Sequence, residues 1–406
     1  MEDVRVFLFN KIEDRDDLDD RKVAEYLKVS TKQVQNLREG KRDLTFRHLL
    51  VLSSLVDPEN YNERIKEWVG KIDKYDCTRN AFEYAAIIRD VDFLDSHIAA
   101  HAHEKRTVIE KYVKVYSFIS NYLKGNIDYQ KIGVELDKLS NISDPTLKIL
   151  VDIYSCIDLL QRREFSYVLT KASKIERDIK MMSKSQLFAQ ECYLYRISEV
   201  LAFAHLFSNN LEEARHYSAI LLNANINKRV NSDALYVIGM TYLLSNEKLC
   251  LEYLKQSKEV AKELEIPRFI SYANFNYNFA KILLSKEVDP DAHESLIAFE
   301  RFNRGEITYE EAEQKIKEFE DVDMINYFES KADIYKKFCD FVANSNLFYA
   351  SIITRDLVHL GEGTKFIESL TKNLKKSKEE KGEVIFEEDF ISCFNVGCGC
   401  VRSVCA

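Results

Sequence analysis

Glycine and proline are scarce in this chain, with 11 Gly and 4 Pro among 406 residues. Proteins built from many short strands need these residues at their turns, whereas helices joined by short polar turns do not. The chain is also 46% hydrophobic and 31% charged, enough for a large core and for solvated helix faces. We therefore predict an all-α fold, organised as two or three globular domains or as one small domain followed by an extended array.

The sequence indicates a cytoplasmic protein. The first residues lack the basic and apolar regions of a secretory signal, and no run of about 18 apolar residues occurs that could span a membrane. We therefore expect no membrane partner. Five cysteines lie within helical patterns beside apolar neighbours, and we expect all of them to be buried and reduced: Cys77, Cys156, Cys192, Cys250 and Cys339.

A basic segment lies near the N-terminus, although the net charge of the whole chain is −9. Between residues 21 and 48 there are eight Lys or Arg and three Asp or Glu, so this segment carries about +5. An acidic run with six carboxylates lies directly before it, between residues 13 and 20. Such a distribution argues against nucleic-acid binding by the whole surface and favours binding by this segment.

The spacing of apolar residues in the basic segment predicts two short helices. The first lies near residues 23–27, with Asp20 as its cap. The second covers residues 31–38 after a tight turn, and ends before Gly40, whose backbone can adopt the left-handed conformation. A basic loop and a further apolar helix follow. This order is that of a helix-turn-helix, and we place the domain within residues 1–75.

The polar side chains of the second helix suit DNA recognition. Amide side chains can contact adenine through two hydrogen bonds, and lysine can reach guanine or phosphate. Basic side chains at the end of the helix and beyond it can hold phosphates and set the register. We predict a DNA-binding surface formed by Thr31, Lys32, Gln33, Asn36, Arg38, Lys41 and Arg42, with Arg47 as a further phosphate ligand. The alternative is a solvated helical hairpin whose basic residues have no such role.

The rest of the chain contains successive amphipathic helices with recurring aromatic residues. Residues 210–217 and 246–253 begin two helices in a similar way, 36 residues apart, and residues 305–312 are a looser copy. This spacing is close to the ~34-residue tetratricopeptide period. Stacked helix pairs form a superhelix with an inner groove, because a single pair cannot bury its own apolar face. We therefore predict a tetratricopeptide-like α-solenoid over residues 76–323.

Two clusters are candidates for lining that groove: Arg229 with Asn231 nearby, and the asparagines Asn274, Asn276 and Asn278. Asn274 and Asn278 are four residues apart and share a helix face, although asparagine is a weak helix former. Side-chain amides can hold the backbone of an extended peptide, and an arginine such as Arg229 can clamp a carboxylate. We predict Arg229, Asn274 and Asn278 as peptide-binding residues. The alternative is that the asparagines face solvent or satisfy the backbone of a loop.

The end of the chain is divided into two parts. Residues 324–375 are predicted as C-terminal helices, with one helix over 324–343 and another over 363–374. Residues 376–406 form a linker and a tail with four cysteines: Cys393, Cys398, Cys400 and Cys405. Their spacing matches zinc motifs poorly, so we predict no metal and no cofactor. A redox or lipid-linked role and an incidental extension stay open as alternatives.

Signatures of catalysis are missing from the sequence. It contains no Gly-rich phosphate loop, zinc-protease signature or nucleophile elbow, and we predict that the protein is not an enzyme. A peptide-regulated repeat scaffold that binds or inhibits a partner protein would also explain the array, but would leave the basic segment unexplained. A repressor-like regulator that senses another ligand is a third interpretation.

A helix-turn-helix followed by tetratricopeptide-like pairs is the plan of Gram-positive regulators controlled by small exported peptides. Within that group the chain resembles the arbitrium peptide receptors of temperate Bacillus phages. The segments that carry the resemblance are residues 195–202, 209–218, 236–242, 274–277, 348–351 and 357–361.

The resemblance implies a homodimeric transcription regulator in the cytoplasm of the host bacterium. A short signalling peptide bound in the groove would alter binding to operator DNA and so shift the choice between lysis and lysogeny. The resemblance also implies that Arg229 and Asn274 line the groove, and that the dimer interface lies in residues 324–375. Phe203 and Phe207 depart from the family pattern, because some members carry polar groove residues there.

Overall fold

The computed structural model describes residues 2–70, 74–104 and 107–362. Every regular element in these ranges is helical, with 21 α-helices and two short 3-10 turns, so the all-α prediction is confirmed. None of the described helices combines the length and apolar character that crossing a membrane requires. The predicted helix over 363–374 and the Cys-rich tail lie outside the described residues.

Five helices form the N-terminal unit. They are α1 (Glu2–Glu13), α2 (Asp20–Leu27), α3 (Thr31–Arg38), α4 (Phe46–Val56) and α5 (Tyr61–Val69). Helices α2 and α3 lie where the apolar spacing predicted them and pack against each other. Helix α1 was not predicted, and its apolar face, which includes Leu8 and Ile12, is buried in the same core as α4.

The ends of α2 and α3 follow from local hydrogen bonding. Asp19 caps α2, and its carboxylate accepts from the Lys22 amide at 2.8 Å, so the predicted cap at Asp20 is wrong by one residue. Ser30 and Gln33 form a capping box at the start of α3, which satisfies amides that the first turn leaves unpaired. After α3 the backbone of Gly40 has a φ of +72°, the left-handed conformation that the sequence predicted there.

Sixteen helices form the array that follows the N-terminal unit. The first eleven are α6 (Tyr75–Ile87), α7 (Val91–His101), α8 (Thr107–Leu123), α9 (Ile132–Asp137), α10 (Pro145–Gln161), α11 (Phe165–Lys180), α12 (Leu187–Phe207), α13 (Leu211–Ala224), α14 (Lys228–Thr241), α15 (Glu247–Lys262) and α16 (Pro267–Leu283). The last five are α17 (Glu294–Asn303), α18 (Tyr309–Lys317), α19 (Val322–Glu329), α20 (Ile334–Ala343) and α21 (Leu347–His359). The 3-10 turns cover Tyr129–Lys131 and Lys184–Gln186.

Paired helices pack closely along the array. Helices α13 and α15 begin at Leu211 and Glu247, which is the 36-residue spacing seen in the sequence. Gly239 of α14 lies close against α15, and a Cβ added there would lie 2.9 Å from the Leu254 Cγ and 3.1 Å from the Cys250 carbonyl oxygen. The single hydrogen at this position therefore allows the two backbones to come together.

The C-terminal helices return to the middle of the array. Arg163, between α10 and α11, forms an ion pair with Asp323 of α19, and Asn346 donates to the same carboxylate at 3.3 Å. Asn209, between α12 and α13, donates to the Ser351 hydroxyl of α21 at 3.0 Å. We call these the closing contacts. The contacts of Arg163 and Asn209 join residues 160 and 142 positions apart, and helix α21 also packs against α12.

Two predictions about the C-terminal half are wrong. The single helix expected over 324–343 is two helices, because Asp333 caps α20 and its carboxylate accepts from the Lys336 amide at 3.0 Å. Cys339 is exposed rather than buried, since α20 turns Phe338 and Phe341 inward instead. The other four cysteines are buried as predicted, and burial raises the pKa of Cys77, Cys156 and Cys250 to about 12.

Candidate functional site

The first candidate surface is the exposed face of α3 with the loop that follows it. Thr31 and Lys32 are exposed at the start of the helix, and Lys41 and Arg42 are exposed in the loop. The Arg42 amide donates to the Asn36 carbonyl oxygen at 3.1 Å, which folds the loop back against the helix. The structure therefore brings most of the residues predicted to bind DNA together on one surface.

Two arginines predicted to hold phosphates have other partners. Arg38 pairs with Asp20 of α2, lies 3.5 Å from a carboxylate oxygen of Glu13, and covers the ring of Phe9 at 5.4 Å. Arg47 is buried and pairs with Glu191 of α12. The Arg47 guanidinium is thus paired inside the fold, and we correct its assignment from phosphate ligand to structural cation. Arg38 is also paired, but 32% of its side chain is exposed, and its assignment as a phosphate ligand stays a prediction.

Gln33 and Asn36 lie on the same surface and are half-buried. The Gln33 side chain oxygen accepts from the Ser30 amide at 3.1 Å, so one end of its amide group already serves the helix cap. A base contact from Gln33 would use its remaining amide nitrogen.

The second candidate surface lies between α14 and α16. Arg229, Asp233 and Tyr236 project from one face of α14, at positions i, i+4 and i+7. Phe269, Tyr272 and Asn276 project from α16 at a similar spacing, and Ser257 of α15 closes one side. We call this surface the repeat groove, defined by Arg229, Asp233, Tyr236, Phe269, Tyr272 and Asn276.

Opposite charges meet on the wall of the repeat groove. The guanidinium of Arg229 lies 4.0 Å from the Asp233 carboxylate and 4.4 Å from the centre of the Phe269 ring. Desolvation and the nearby charge of Arg89 lower the pKa of Arg229. Desolvation raises the pKa of Asp233 to about 6, because the surrounding helices limit its hydration even though 38% of the side chain remains exposed.

Helix α12 carries a charged network beside the groove. Glu199 accepts from Arg89 at 2.8 Å, and the charges of both residues act on Asp233. One turn earlier, Arg196 donates to Glu83 at 2.7 Å, and Glu83 also accepts from the Tyr116 hydroxyl at 2.6 Å. The buried bonds of Glu83 to Arg196 and Tyr116 fix α12 against α6 and α8, while Nη2 of Arg196 has no hydrogen-bond partner among the described residues.

The two asparagines predicted to bind peptide form the support of a loop. Asn278 is fully buried, and its side chain oxygen accepts from the Asp289 amide at 2.7 Å. Asn274 donates to the Asp291 carbonyl oxygen at 3.0 Å and accepts from Asn278 at 3.2 Å. Of the two roles that the sequence allowed, satisfying loop backbone is the one observed, and the peptide-binding assignment of Asn278 is corrected. Asn276, on another face of α16, is the asparagine that lines the repeat groove.

Phe203 and Phe207 extend the groove as an aromatic wall. Phe203 stacks with Tyr236 at 6.1 Å between ring centres, and Phe207 stacks with Phe165 at 4.8 Å. The Arg163 guanidinium covers the Phe207 ring at 5.5 Å. Phe203 and Phe207 thus form an apolar surface that extends from Tyr236 to the closing contact of Arg163.

Of the residues that form the repeat groove, sequence reasoning named Arg229 and Asn276 and did not name Asp233, Tyr236 or Tyr272. The available signal was helical spacing, because Asp233 and Tyr236 follow Arg229 by four and seven positions and therefore share its face. Within the described ranges, no group of three or more His, Cys, Asp or Glu side chains is arranged to hold a metal ion.

The fold and the repeat groove define an α-helical repeat protein with a small N-terminal helical unit. The chain belongs to the AimR transcriptional regulator-like family, whose model matches residues 62–329. None of the curated proteins compared with the sequence matches it.

Two solved structures have the same fold. The structure of selenomethionine phAimR has a TM-score of 0.60 and 19% sequence identity, and the match covers 91% of this chain and 100% of that one. The structure of phAimR with its ligand has a TM-score of 0.63 and 18% identity, and the match covers 79% of this chain and 98% of that one.

Proposed function

We propose that this protein is a peptide-responsive, DNA-binding transcription regulator that controls the choice between phage lysis and lysogeny. A short signalling peptide binds in the repeat groove and changes the affinity of the N-terminal unit for operator DNA. The observation that carries this proposal is the position of α12, which contacts the N-terminal unit and also lies beside the groove: Glu191 pairs with Arg47 of α4, and Glu199 pairs with Arg89.

The DNA-binding half is supported by α3 and its loop. Lys32, Lys41 and Arg42 are exposed cations on a surface that also carries Asn36, and this combination suits phosphate contacts around one base contact. A homodimer would place two such helices about one or more DNA turns apart. We place its interface in the C-terminal helices, where Tyr335 of α20 is 46% exposed and Val358 of α21 is 50% exposed.

The peptide-binding half is supported by the chemistry of the repeat groove. Arg229 can clamp the carboxylate of a short peptide, and the Asn276 amide can bond to its backbone. The Arg229 guanidinium faces Asp233 only at 4.0 Å, so a ligand carboxylate could approach the guanidinium more closely than Asp233 does. Tyr236, Phe269 and Phe203 supply apolar surface for the side chains of the peptide.

Coupling between the two halves follows from the ion pairs of α12. Glu191 and Glu199 are eight residues apart, roughly 12 Å along the helix axis. A ligand that displaces Arg89 or Arg229 changes the electrostatic interactions of Glu199. A resulting displacement of α12 would move Glu191, and with it Arg47 in the N-terminal unit. The ligand alters DNA binding only to the extent that it binds the two arrangements with different affinity.

A gel-shift titration with the full chain tests this proposal. The probe is promoter DNA from the protein's own locus, and the ligand is the mature peptide encoded directly downstream. We expect a specific complex that weakens as salt rises and that changes when peptide is added. Lys32→Ala should weaken the complex, whereas Lys262→Ala, an exposed lysine of α15, should leave it unchanged. If no specific complex forms with or without peptide, the regulator proposal is wrong and a scaffold that binds a partner protein is favoured.

A further inference from the structure

The aromatic wall of Phe203 and Phe207 belongs to a row of four rings that spans α11, α12 and α14. Tyr236 of α14 stacks with Phe203 at 6.1 Å between ring centres, and Phe203 stacks with Phe207 at 6.4 Å. Phe207 stacks with Phe165 of α11 at 4.8 Å. Successive rings are inclined by only 29°, 25° and 21°, so the row presents ring faces along its whole length.

The row is buried at one end and open at the other. Phe165 is buried, whereas Phe203 and Tyr236 are half-buried. Beside Tyr236 in the repeat groove, Tyr272 of α16 keeps 52% of its surface exposed. Desolvation nevertheless raises the pKa of both tyrosines, because the surrounding helices limit the hydration of their hydroxyl groups. The open part of the row therefore lies in a concave part of the surface, where a bound side chain would be shielded from water.

The repeat groove changes from charged to aromatic along the helix direction. The charge of Glu199 on α12 acts on Asp233 of α14, and one turn further along both helices Phe203 stacks with Tyr236. Arg229 lies seven positions before Tyr236, which is about 10 Å along the axis of α14. An extended peptide advances by about 3.3–3.6 Å per residue, so this distance corresponds to about three peptide residues.

We propose that the ligand is a peptide with an aromatic or other large apolar side chain about three residues before its C-terminal residue. Phe203 and Tyr236 bind this side chain, while Arg229 binds the terminal carboxylate. The inference rests on the proposed peptide binding and adds to it the class of peptide that the groove selects. An acidic side chain at the same position is disfavoured, because the charges of Asp321 and Asp323 act on Tyr236 from beyond the rings.

The test titrates the full chain with synthetic six-residue peptides of glycine and serine that end in a free carboxylate. One peptide carries phenylalanine at its third position, which is three residues before the end, and a second carries it at the fifth position. A third peptide has aspartate at the third position, and a fourth has only glycine and serine. Calorimetry should show that phenylalanine at the third position binds at least about tenfold more tightly than at the fifth, the scale on which an apolar pocket discriminates. The aspartate peptide should bind more weakly than the unsubstituted one.

Variants of the protein assign this preference to the rings. Phe203→Ser should remove the preference for phenylalanine at the third position, and Phe203→Leu, which keeps an apolar side chain and the fold, should reduce it. Tyr167→Ser is the matched control, because Tyr167 is an aromatic residue of α11 with 68% of its surface exposed outside the row. This variant should keep the preference of the wild type.

The outcomes separate the inference from the proposed function. If the wild-type chain binds the peptide encoded directly downstream but shows no preference for phenylalanine at the third position, the inference is refuted while the proposed function stands. A preference that survives in Phe203→Ser refutes the assignment to the aromatic rings in the same way. If the chain binds neither the downstream peptide nor any synthetic peptide, both proposals are refuted.

Discussion

The guanidinium of Arg47 donates to both carboxylate oxygens of Glu191 at 3.2 Å, and the two residues are 144 positions apart. Arg47 also donates to the Leu27 carbonyl oxygen at the end of α2, at 3.0 Å. Both side chains are buried, with 6% and 0% of their surface exposed. One guanidinium thus joins α2 and α4 of the N-terminal unit to α12 of the array.

We expect Glu191→Gln to lower the free energy of unfolding by about 3–5 kcal/mol, because it leaves the Arg47 charge buried without a counter-charge. Denaturant unfolding measures this. The double variant with Arg47→Met should be more stable than Glu191→Gln alone, since the uncompensated charge is removed. A loss below about 0.5 kcal/mol in the single variant would contradict a buried pair.

Asn278 and Asn276 should separate stability from ligand binding. Asn278→Ala leaves the Asp289 amide without its acceptor, and we expect it to cost about 1–3 kcal/mol of unfolding free energy. Asn276→Ala should weaken peptide binding, measured by titration calorimetry, and change stability by less than about 0.5 kcal/mol. If Asn278→Ala weakened peptide binding and Asn276→Ala lowered stability instead, the face of α16 that carries Asn274 and Asn278 would be the one that contacts the ligand.

Ligand binding should strengthen as the pH falls through about 6. Asp233 has its pKa raised to about 6 by desolvation, and the charges that face it are Arg229, Arg89 and Glu199. Protonated Asp233 no longer competes with a ligand carboxylate for Arg229, so affinity should rise about tenfold between pH 7.5 and pH 5 if the coupling equals one pKa unit. At both pH 7.5 and pH 5, Asp233→Asn should bind the ligand with the affinity that the wild type reaches only at pH 5.

The control for this pH dependence is Asp321→Asn. Desolvation raises the pKa of Asp321 to about 6 as well, but the cation acting on it is Arg163 rather than Arg229. The variant should keep the pH dependence of the wild type.

Unfolding gives an independent check of the raised pKa of Asp233. Because this pKa is higher in the folded state, protonation of Asp233 stabilises the folded state fully below about pH 3.8, and this contribution is lost as the pH rises through about 6.

Gly239→Ala should destabilise the array by about 1–3 kcal/mol, because the new Cβ would overlap Leu254 and the Cys250 carbonyl in the contact between α14 and α15. Gly70→Ala is the matched control. A Cβ there meets nothing closer than 3.7 Å, and its φ of −67° suits alanine, so stability should stay the same or rise slightly. Thermal unfolding of both variants measures the difference.

The boundaries of several helices could be predicted because their signals are local. Helix α13 begins after Asn210 and α15 after Asn246, each followed by acidic residues that favour a helix start. The break between α19 and α20 was not predicted, since it contains neither Gly nor Pro. There the Ser330 hydroxyl and the Asp333 carboxylate take up the hydrogen bonds of the helix ends.

The candidate site was harder to predict because its residues depend on contacts distant in sequence. Nothing near Arg47 indicates that its partner is Glu191, and nothing near Asn278 indicates that its amide supports the loop before α17. Arg229 was identified through family resemblance, and helical spacing then leads from it to Asp233. Which face of α16 points into the groove is decided by packing, and the sequence alone did not distinguish Asn276 from Asn274.

The closing contacts also constrain how the protein is made. Arg163 and Asp323 are 160 residues apart, so the ribosome adds those residues before the pair can form. At about 5–20 residues per second this takes roughly 8–32 s, during which α10 to α12 have left the ribosome without the helices that later cover them. The apolar surface of α12 that α21 later covers therefore stays accessible on the nascent chain, where a chaperone that binds apolar surface can reach it.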